Sequence, residues 1–292
     1  MRLKFTAGRY ILAVSGGVDS MVLLDLLSIL PGLELVVAHL DHGIRPDSYK
    51  DEEFVKEAAG KYGFKYESAR AGLGADASEE TARKARYSFL KDLVEKHQAD
   101  AIVTAHHQDD LIETVLINLL RGTGRRGLYS IAANTEVTRP LLGYSKKQIL
   151  EYAENHKIDW REDPTNLQTD YLRNYIRQEI APRLSEVQRR QIVKNSDKVA
   201  EIDNIIQKEL AGIEEAVFNE DELDRSRFAA LPAEVSGELL LRWFRAMGVA
   251  DIDRKTIARI NTNIRTGRQN QVHPVKDGVR LELTADSAYF RR

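Results

Sequence analysis

The stretch YILAVSGGVDS, residues 10–20, decides how the N-terminal half of the chain folds. Its first five residues are apolar, which is typical of a buried strand in a parallel sheet. The next residues are Ser15-Gly16-Gly17-Val18-Asp19-Ser20, and they lead into a segment with helical spacing at residues 21–30. We therefore predict a strand, a glycine-rich loop and a helix in this order.

This loop has the composition of a phosphate-binding site. Gly16 and Gly17 let the backbone approach phosphate oxygens, and the hydroxyls of Ser15 and Ser20 add donors. The start of the helix adds unpaired N–H groups and the positive end of the helix dipole. Serine-capped turns of this kind also occur without a ligand, so the loop alone leaves both interpretations open.

Strand-like and helix-like segments continue to alternate up to Pro140. The predicted strands are 35–40, 64–67 and 101–105, and the predicted helices are 47–62, 79–97 and 111–121. Such alternation predicts an α/β fold with a mostly parallel, twisted sheet and helices on both faces. Ligands of such sheets bind beyond the C-terminal ends of the strands.

The chain after Pro140 is predicted to be mainly helical, with helices at 146–156, 171–179 and 187–210. A length of 292 residues exceeds the usual size of one hydrophobic core. Pro182 and the charged residues near position 190 are typical of a hinge. We predict a catalytic domain over residues 1–188 and a smaller, mainly helical C-terminal domain over residues 189–292.

The composition excludes cysteine-based chemistry and indicates where the protein is located. The chain has no cysteine, so it supplies no thiolate for a disulfide, a zinc site or an iron–sulfur cluster. It has no run of about 18 apolar residues and no secretion signal pattern at its start. We therefore expect a cytoplasmic protein without a membrane partner.

Charge is distributed unevenly along the chain. The net charge is -2, yet residues 254–292 contain nine Lys and Arg against three Asp and Glu, a local charge of +6. The first 253 residues therefore carry -8. A basic C-terminal module can supply nucleic-acid phosphate contacts, although a solvated charged surface is the alternative.

Candidate catalytic side chains follow the predicted strand 101–105. His106 ends this strand, and Asp110 and Glu113 lie three residues apart at the start of the next helix. Because residues at this spacing share one helix face, the two carboxylates suit the capture of an ammonium group. The alternative is that both simply complement the positive helix N-terminus.

Two familiar nucleotide motifs do not apply. The chain has no G-x-x-x-x-G-K-[ST] sequence, which excludes a Walker-type loop. GTGRRG at residues 122–127 matches G-x-G-x-x-G but follows a predicted helix, whereas a dinucleotide site needs it after the first strand.

A series of segments resembles the tRNA(Ile)-lysidine synthetase family of N-type ATP pyrophosphatases, in which SGGVDS is the pyrophosphate loop. The other segments are HLDHG (39–43), ETAR (80–83) with RY (86–87), TAHHQDD (104–110) with ET (113–114), LRGTG (120–124), RPLL (139–142), REDPTN (161–166), and RN (173–174) with IR (176–177). They run in order to about residue 184. The chain is similar to shorter members with one compact C-terminal domain.

The resemblance implies an adenine nucleotide α-hydrolase-like fold and a two-step reaction with ATP and Mg2+. The C2 oxygen of the wobble cytidine in tRNA(Ile) with a CAU anticodon is adenylated, and pyrophosphate leaves. The ε-amine of L-lysine then displaces AMP. Family members are often dimeric, so a homodimer is a further expectation.

The resemblance also implies roles for individual residues. The six loop residues hold the ATP phosphates, with Asp19 as the expected Mg2+ ligand or its partner. Arg86 steadies negative charge at the reaction centre, and His106 contacts the nucleotide or the base. Asp110 and Glu113 bind lysine and assist catalysis.

Arginines near glycines or at helical spacing are candidates for tRNA phosphate contacts. They are Arg121, Arg125, Arg126, Arg173 and Arg177. Such contacts position the RNA without reading its sequence.

Four other functions would use parts of the same sequence pattern. A tRNA thiolation enzyme would need a sulfur-carrying cysteine or cluster. An amide-forming ligase and a non-catalytic RNA-binding module stay open. A two-metal phosphodiesterase could use an N/O cluster, but it would leave the SGGVDS loop without a role. Its candidate ligands are His39, Asp41, His42, His106, His107, Asp109 and Asp110.

Overall fold

The computed structural model describes residues 1–43, 48–74, 78–131, 136–161, 171–219, 222–249 and 252–291. The chain divides into two compact units, Met1–Ala200 and Glu201–Arg292. Among the helices in these described ranges, none combines the length and the apolar character that a membrane span requires.

The first unit is built on a parallel sheet with the strand order β3-β2-β1-β4-β5. Within the described residues its strands are β1 (Gly8–Ala13), β2 (Leu33–Asp41), β3 (Lys65–Arg70), β4 (Ala101–Val103) and β5 (Val137–Thr138). The predicted parallel α/β fold is therefore confirmed. β5 is two residues long and was not predicted.

Helices connect these strands and continue beyond them. They are α1 (Val18–Ser28), α2 (Tyr49–Lys61), α3 (Glu79–His97), α4 (Gln108–Leu120), α5 (Lys146–His156), α6 (Tyr171–Tyr175) and α7 (Glu186–Val217). A wide turn at Ile176–Ile180 and a tight one at Ala181–Arg183 follow α6, and the division between the two units falls within α7.

The central strand β1 is buried on both faces of the sheet. Leu12 packs in one cluster with Leu23 of α1 and Ile149 of α5. Ile11 points to the opposite face and packs in a second cluster with Leu90 of α3. Because neighbouring residues of a strand face opposite sides, this separation confirms that helices cover both faces.

The strand order places a topological switch point beside β1. From β1 the chain proceeds to β2 on one side, whereas β4 lies on the other side. Connections that leave adjacent strand ends in opposite directions open a crevice between them. The loop that follows β1 and the loop that follows β4 border this crevice.

The second unit pairs helices with an antiparallel sheet in the order β6-β7-β10-β9-β8. Its described strands are β6 (Phe218–Asn219), β7 (Glu222–Asp224), β8 (Val272–Lys276), β9 (Val279–Leu283) and β10 (Ser287–Arg291), and its helices besides α7 are α8 (Arg225–Ala230), α9 (Ala233–Ala246) and α10 (Arg254–Thr266). Phe228, Phe244 and Phe290 lie at the centre of its core. The prediction of a mainly helical domain did not include this sheet.

Candidate active site

A cavity of about 810 Å³ lies in the first unit at the C-terminal ends of the parallel strands. Its lining comes from the loops after β1, β2 and β4, from the first turns of α1, α4 and α5, and from α3 and the segment 177–189. This is the edge of the sheet where ligands of α/β proteins bind.

The loop after β1 is held in shape by its own hydroxyl groups. The Ser20 hydroxyl donates to the Gly17 carbonyl at 2.9 Å and accepts from the Ser15 N–H at 3.2 Å. Gly16 has a φ of +90°, a backbone conformation that favours glycine, and its carbonyl accepts from the Arg161 N–H. The loop therefore carries the backbone geometry expected of an anion cradle at a helix N-terminus.

Asp19 on the first turn of α1 points into the cavity and pairs with Lys146. The Lys146 ammonium lies 2.7 Å from one carboxylate oxygen of Asp19 and 2.8 Å from the other. His107 approaches the same carboxylate, with 3.7 Å between its Nε2 and Oδ1 of Asp19. The loop, α4 and α5 thus meet at Asp19.

A second carboxylate, Asp109, joins α4 to α5 and α7. It accepts the backbone N–H of Lys146 at 2.8 Å and a guanidinium N–H of Arg189 at 2.5 Å. Burial alone would raise the pKa of the Asp109 carboxyl, but these two donors hold that pKa below its usual value. Asp109 therefore has a structural role at the rim of the cavity.

His107 caps the N-terminus of α4. Its Nδ1 accepts the Asp109 N–H, and the Asp110 carboxylate accepts the His107 N–H at 2.9 Å. This reciprocal cap fixes the first turn of α4, which carries the acidic side chains of the site.

Asp110 and Glu113 both face the cavity, as their spacing predicted, and an arginine lies against them. Glu113 is buried, and Arg177 donates to its two carboxylate oxygens at 2.7 and 2.8 Å. Arg177 also lies 3.8 Å from Asp110. The acidic pair therefore already binds a cationic side chain, the guanidinium of Arg177.

His106 is a neutral group in this site at physiological pH. Burial lowers its pKa to about 4; the Asp110 carboxylate acts in the opposite direction, and nearby arginines lower it further. Its Nδ1 lies 2.8 Å from the Thr104 hydroxyl. A neutral imidazole can accept or donate a hydrogen bond beside the reacting groups.

The structure brings most of the predicted catalytic residues together. Asp19, Arg86, His106, Asp110 and Glu113 all line the cavity, as do Ser15, Gly17 and Ser20 of the loop. Of the predicted tRNA-contacting arginines, Arg177 lies in the cavity. Arg125 and Arg126 form a short turn beside the exposed Arg121, and Arg173 lies on α6. Their roles stay predictions.

Among the cavity residues to which the main prediction gave no role are Lys146, Arg189 and His107. Lys146 and Arg189 come from helices far along the chain, so spacing offers no signal for them. His107 directly precedes the acidic first turn of α4, but histidine is not among the residues typical of a helix N-cap, so the sequence pattern did not indicate this role. Residues 162–166 of the REDPTN segment lie outside the described residues.

The donor set suits Mg2+ that arrives with phosphates. Within the described ranges, no group of three or more His, Cys, Asp or Glu residues is placed to hold a metal ion by itself. Mg2+ usually takes one or two carboxylates together with phosphate oxygens and waters, and Asp19 offers such a carboxylate beside the loop.

These features define a nucleotide-binding α/β protein with a phosphate loop after its first strand. The chain belongs to the PP-loop domain family, which matches residues 2–184.

Similar proteins carry one recurring name. A tRNA(Ile)-lysidine synthase of Thermotoga maritima is 40% identical over 191 residues, which are 62% of this chain and 46% of that protein. One from Chlorobaculum tepidum is 37% identical over 202 residues, which are 65% of this chain and 61% of that protein. The match thus spans about half the length of these curated relatives.

A solved structure shares the fold. The U34-tRNA thiolase NcsA from Methanococcus maripaludis aligns with a TM-score of 0.54 and 18% identity, covering 68% of this chain and 74% of that one. At this identity, the likeness shows the fold alone.

Proposed function

We propose that this chain is a tRNA(Ile)-lysidine synthetase that uses ATP and Mg2+ to join L-lysine to the wobble cytidine of tRNA(Ile) with a CAU anticodon. One observation carries the proposal: the phosphate loop and the acidic pair Asp110 and Glu113 line the same cavity. This cavity can place an activated nucleotide beside a site for an ammonium group. The named relatives support the same activity.

In the first step the cytosine C2 oxygen forms a bond to the α-phosphorus of ATP. The bond from that phosphorus to the bridging oxygen breaks, and pyrophosphate leaves with the electron pair. The loop residues Ser15 to Ser20 orient the phosphates, and Asp19 would hold Mg2+, which supplies charge neutralisation when bound. The positive charge of Arg86 suits it to the α-phosphate.

In the second step the lysine amine attacks C2 of the base, and AMP leaves with its oxygen. The amine must first lose a proton, because its ordinary pKa is about 10.4. Asp110 and Glu113 would bind the ammonium and assist this loss. Arg177 contacts the carboxylates of both Asp110 and Glu113. Lysine binding therefore requires its guanidinium to move away from them at least in part.

The RNA requires a larger surface than this cavity. Arg121, Arg125, Arg126 and Arg173 would contact tRNA phosphates together with the basic segment 254–292. A cytoplasmic location and a homodimer complete the proposal, and the dimer is tested by the mass of the protein in solution.

Incubation with ATP, Mg2+, labelled lysine and tRNA with a CAU anticodon tests the activity. We expect lysine-dependent label in the RNA and equal amounts of AMP and pyrophosphate. Asp19→Ala should abolish pyrophosphate release, because the loop would lose its carboxylate. A matched tRNA with another anticodon is the control.

Other outcomes identify other functions. Cleavage of the RNA without ATP would contradict the proposal in favour of a phosphodiesterase. Formation of AMP with a small carboxylic acid and an amine, but without RNA, would support an amide-forming ligase instead.

A further inference from the structure

We infer that Lys146 is a phosphate-binding catalytic residue whose ammonium passes from Asp19 to the terminal phosphates of ATP and stabilises the departing pyrophosphate. The inference rests on the proposed function, since it assigns Lys146 to the adenylation step. It goes beyond the resemblance, which gives this residue no role.

The backbone of Lys146 is fixed beside the phosphate loop. Ser145 caps α5 by accepting the Gln148 N–H, while the Gln148 side chain accepts the Ser145 N–H. The N–H of Lys146 donates to Asp109 at 2.8 Å, and Arg189 holds Asp109 from the other side. The start of the Lys146 side chain is therefore held in place.

The ammonium group at the end of this side chain, in contrast, can change its position. The ammonium reaches across to Asp19 on the first turn of α1, and the side chain is 39% exposed within the cavity. Lysine has a flexible four-carbon stem and a compact charge that accepts partners from many directions. Its ammonium can therefore contact a phosphate at the loop while its backbone stays fixed.

The cavity has more acidic than cationic side chains, so ATP needs a cationic side chain that can move to its phosphates. Among the described residues that line it, carboxylates outnumber cationic side chains, so the highly negative triphosphate of ATP enters an acidic site. The acidic residues are Asp19, Asp41, Asp51, Asp109, Asp110 and Glu113, and the cationic ones are Arg86, Lys146, Arg177 and Arg189.

The other cations are placed elsewhere in the cavity. Arg177 binds Glu113 through two hydrogen bonds, and Arg189 binds Asp109 and the Ala181 carbonyl. Arg86 comes from α3, on the far side of the sheet from α1 and α5. Lys146, in contrast, contacts Asp19 of the phosphate loop directly, through both carboxylate oxygens.

The positive charge of the Lys146 ammonium would lie where negative charge develops during the reaction. As the bond between the α-phosphorus and the bridging oxygen breaks, negative charge grows on the departing pyrophosphate. An ammonium beside its oxygens stabilises that charge more in the transition state than in bound ATP. Lys146 should therefore affect both ATP binding and the rate of adenylation.

Binding measurements on Lys146→Gln test this role. The ligands are an ATP analogue with a methylene group between its α- and β-phosphorus atoms, inorganic pyrophosphate, and AMP. We expect affinity for the analogue and for pyrophosphate to fall by about 10- to 100-fold, and affinity for AMP to change by less than about threefold. Lys146→Arg should restore part of the loss.

Lys147→Gln is the matched control, because Lys147 is the exposed next residue of α5 and lies near Glu151. It should bind all three ligands as the unmodified protein does. These measurements need neither tRNA nor lysine, so a failure of lysine transfer to RNA would be seen separately as a failure of the proposed function.

Chemical labelling of the unmodified protein gives a second test that needs no variant. Pyrophosphate should protect Lys146, but not Lys147, from an amine-acylating reagent, as read by mass spectrometry. The inference is overturned if pyrophosphate leaves Lys146 labelling unchanged. Equal losses of AMP and ATP-analogue affinity in a folded Lys146→Gln protein would overturn it as well, because they indicate a general positioning effect.

Discussion

At the scale of single residues, the contact between Glu113 and Arg177 defines the acidic end of the cavity. Glu113 is 4% exposed, and both of its oxygens accept from the guanidinium. A buried carboxylate is costly without such a partner, so the site must supply either Arg177 or a cationic substrate. This requirement makes Glu113 a selective binder of cations.

Glu113→Gln should separate the two steps of the proposed reaction. The amide keeps the shape of the side chain but loses the charge that would hold an ammonium. We expect lysine incorporation into tRNA to fall by about 100-fold or more while AMP formation persists. The measurement is labelled lysine in RNA against labelled AMP in the same reaction.

Glu179→Gln is the matched control, because Glu179 pairs with Arg183 at 2.8 Å on an exposed turn. It should leave both products unchanged. If Glu113→Gln incorporates lysine at nearly the normal rate, the assigned role of this carboxylate is wrong.

The lowered pKa of His106 should make the free energy of unfolding depend on pH in the acidic range. Its pKa in the folded protein is about 4, whereas an unperturbed histidine has a pKa near 6.5. Between these values the unfolded chain binds a proton that the folded protein does not. The free energy of unfolding should therefore fall as the pH is lowered from about 6.5 towards 4 and should not depend on this group above that range.

His106→Gln should remove this part of the acid sensitivity. Urea unfolding at about pH 7.5 and about pH 5 measures it, with His156→Gln on the exposed end of α5 as the control. The variant should lose less stability between the two conditions than the control does. Equal losses in both proteins would show that His106 is protonated with an ordinary pKa.

Site residues could be predicted from the sequence where their spacing within one helix was sufficient to bring them together. Asp110 and Glu113 share a helix face because their spacing requires it, and this was readable from the chain alone. Lys146 is separated from Asp19 by 127 positions, so only the packing of α5 beside α1 brings the two together. Contacts of this range have no signature in a single sequence.

Among the helices and strands, the first and last residues of a helix could be predicted where capping residues mark them. The predicted bounds of α3 and α5 are confirmed, since Ser78 and Ser145 accept N–H groups at the helix starts and Gln98 and Lys157 end them with positive φ. The sheet of the second unit was missed, although Asp277-Gly278 between β8 and β9 is a strong hairpin signal. β6 and β7, like β9 and β10, also pair as neighbours along the chain, whereas β7 and β10 pair across a long sequence separation that local patterns do not reveal.

The glycine loop after β1 should depend on the backbone of Gly16. With a φ of +90°, an alanine there would be strained, although its methyl group would make only ordinary contacts with Val55 and Phe54. We expect Gly16→Ala to lower the free energy of unfolding by about 1–2 kcal/mol and to weaken ATP binding.

Gly60→Ala in α2 is the matched control, because no other group lies within 4 Å of the added methyl group. Alanine favours a helix more than glycine does, so this change should stabilise the protein slightly. Urea unfolding and ATP titration measure both variants. Unchanged ATP affinity in Gly16→Ala would mean that the loop geometry is not required for the nucleotide.

At the scale of the whole molecule, the basic charge is concentrated near the end of the chain. The excess of basic residues over positions 254–292 lies within the second unit, although that unit as a whole is not basic, whereas more acidic than basic side chains line the cavity of the first unit. This distribution suits a division of roles in which the cavity supplies chemistry and the segment 254–292 supplies phosphate contacts to RNA.

Exposed basic residues of the second unit should therefore control the salt dependence of tRNA binding. Lys255 at the start of α10 and Arg268 after it are both exposed. Each alanine substitution should reduce the slope of log affinity against log salt by about one. Lys61→Ala is the control, because α2 ends just before the start of β3, whereas the cavity lies at the C-terminal ends of the strands.

A crystal structure of the protein with an ATP analogue, whose α- and β-phosphorus atoms are joined by a methylene group, tests most directly whether the loop after β1 binds phosphate. The β- and γ-phosphates should lie against the backbone N–H groups of residues 15–20 and the hydroxyls of Ser15 and Ser20. A nucleotide bound elsewhere, with this loop making no phosphate contact, would contradict the proposed role of the loop.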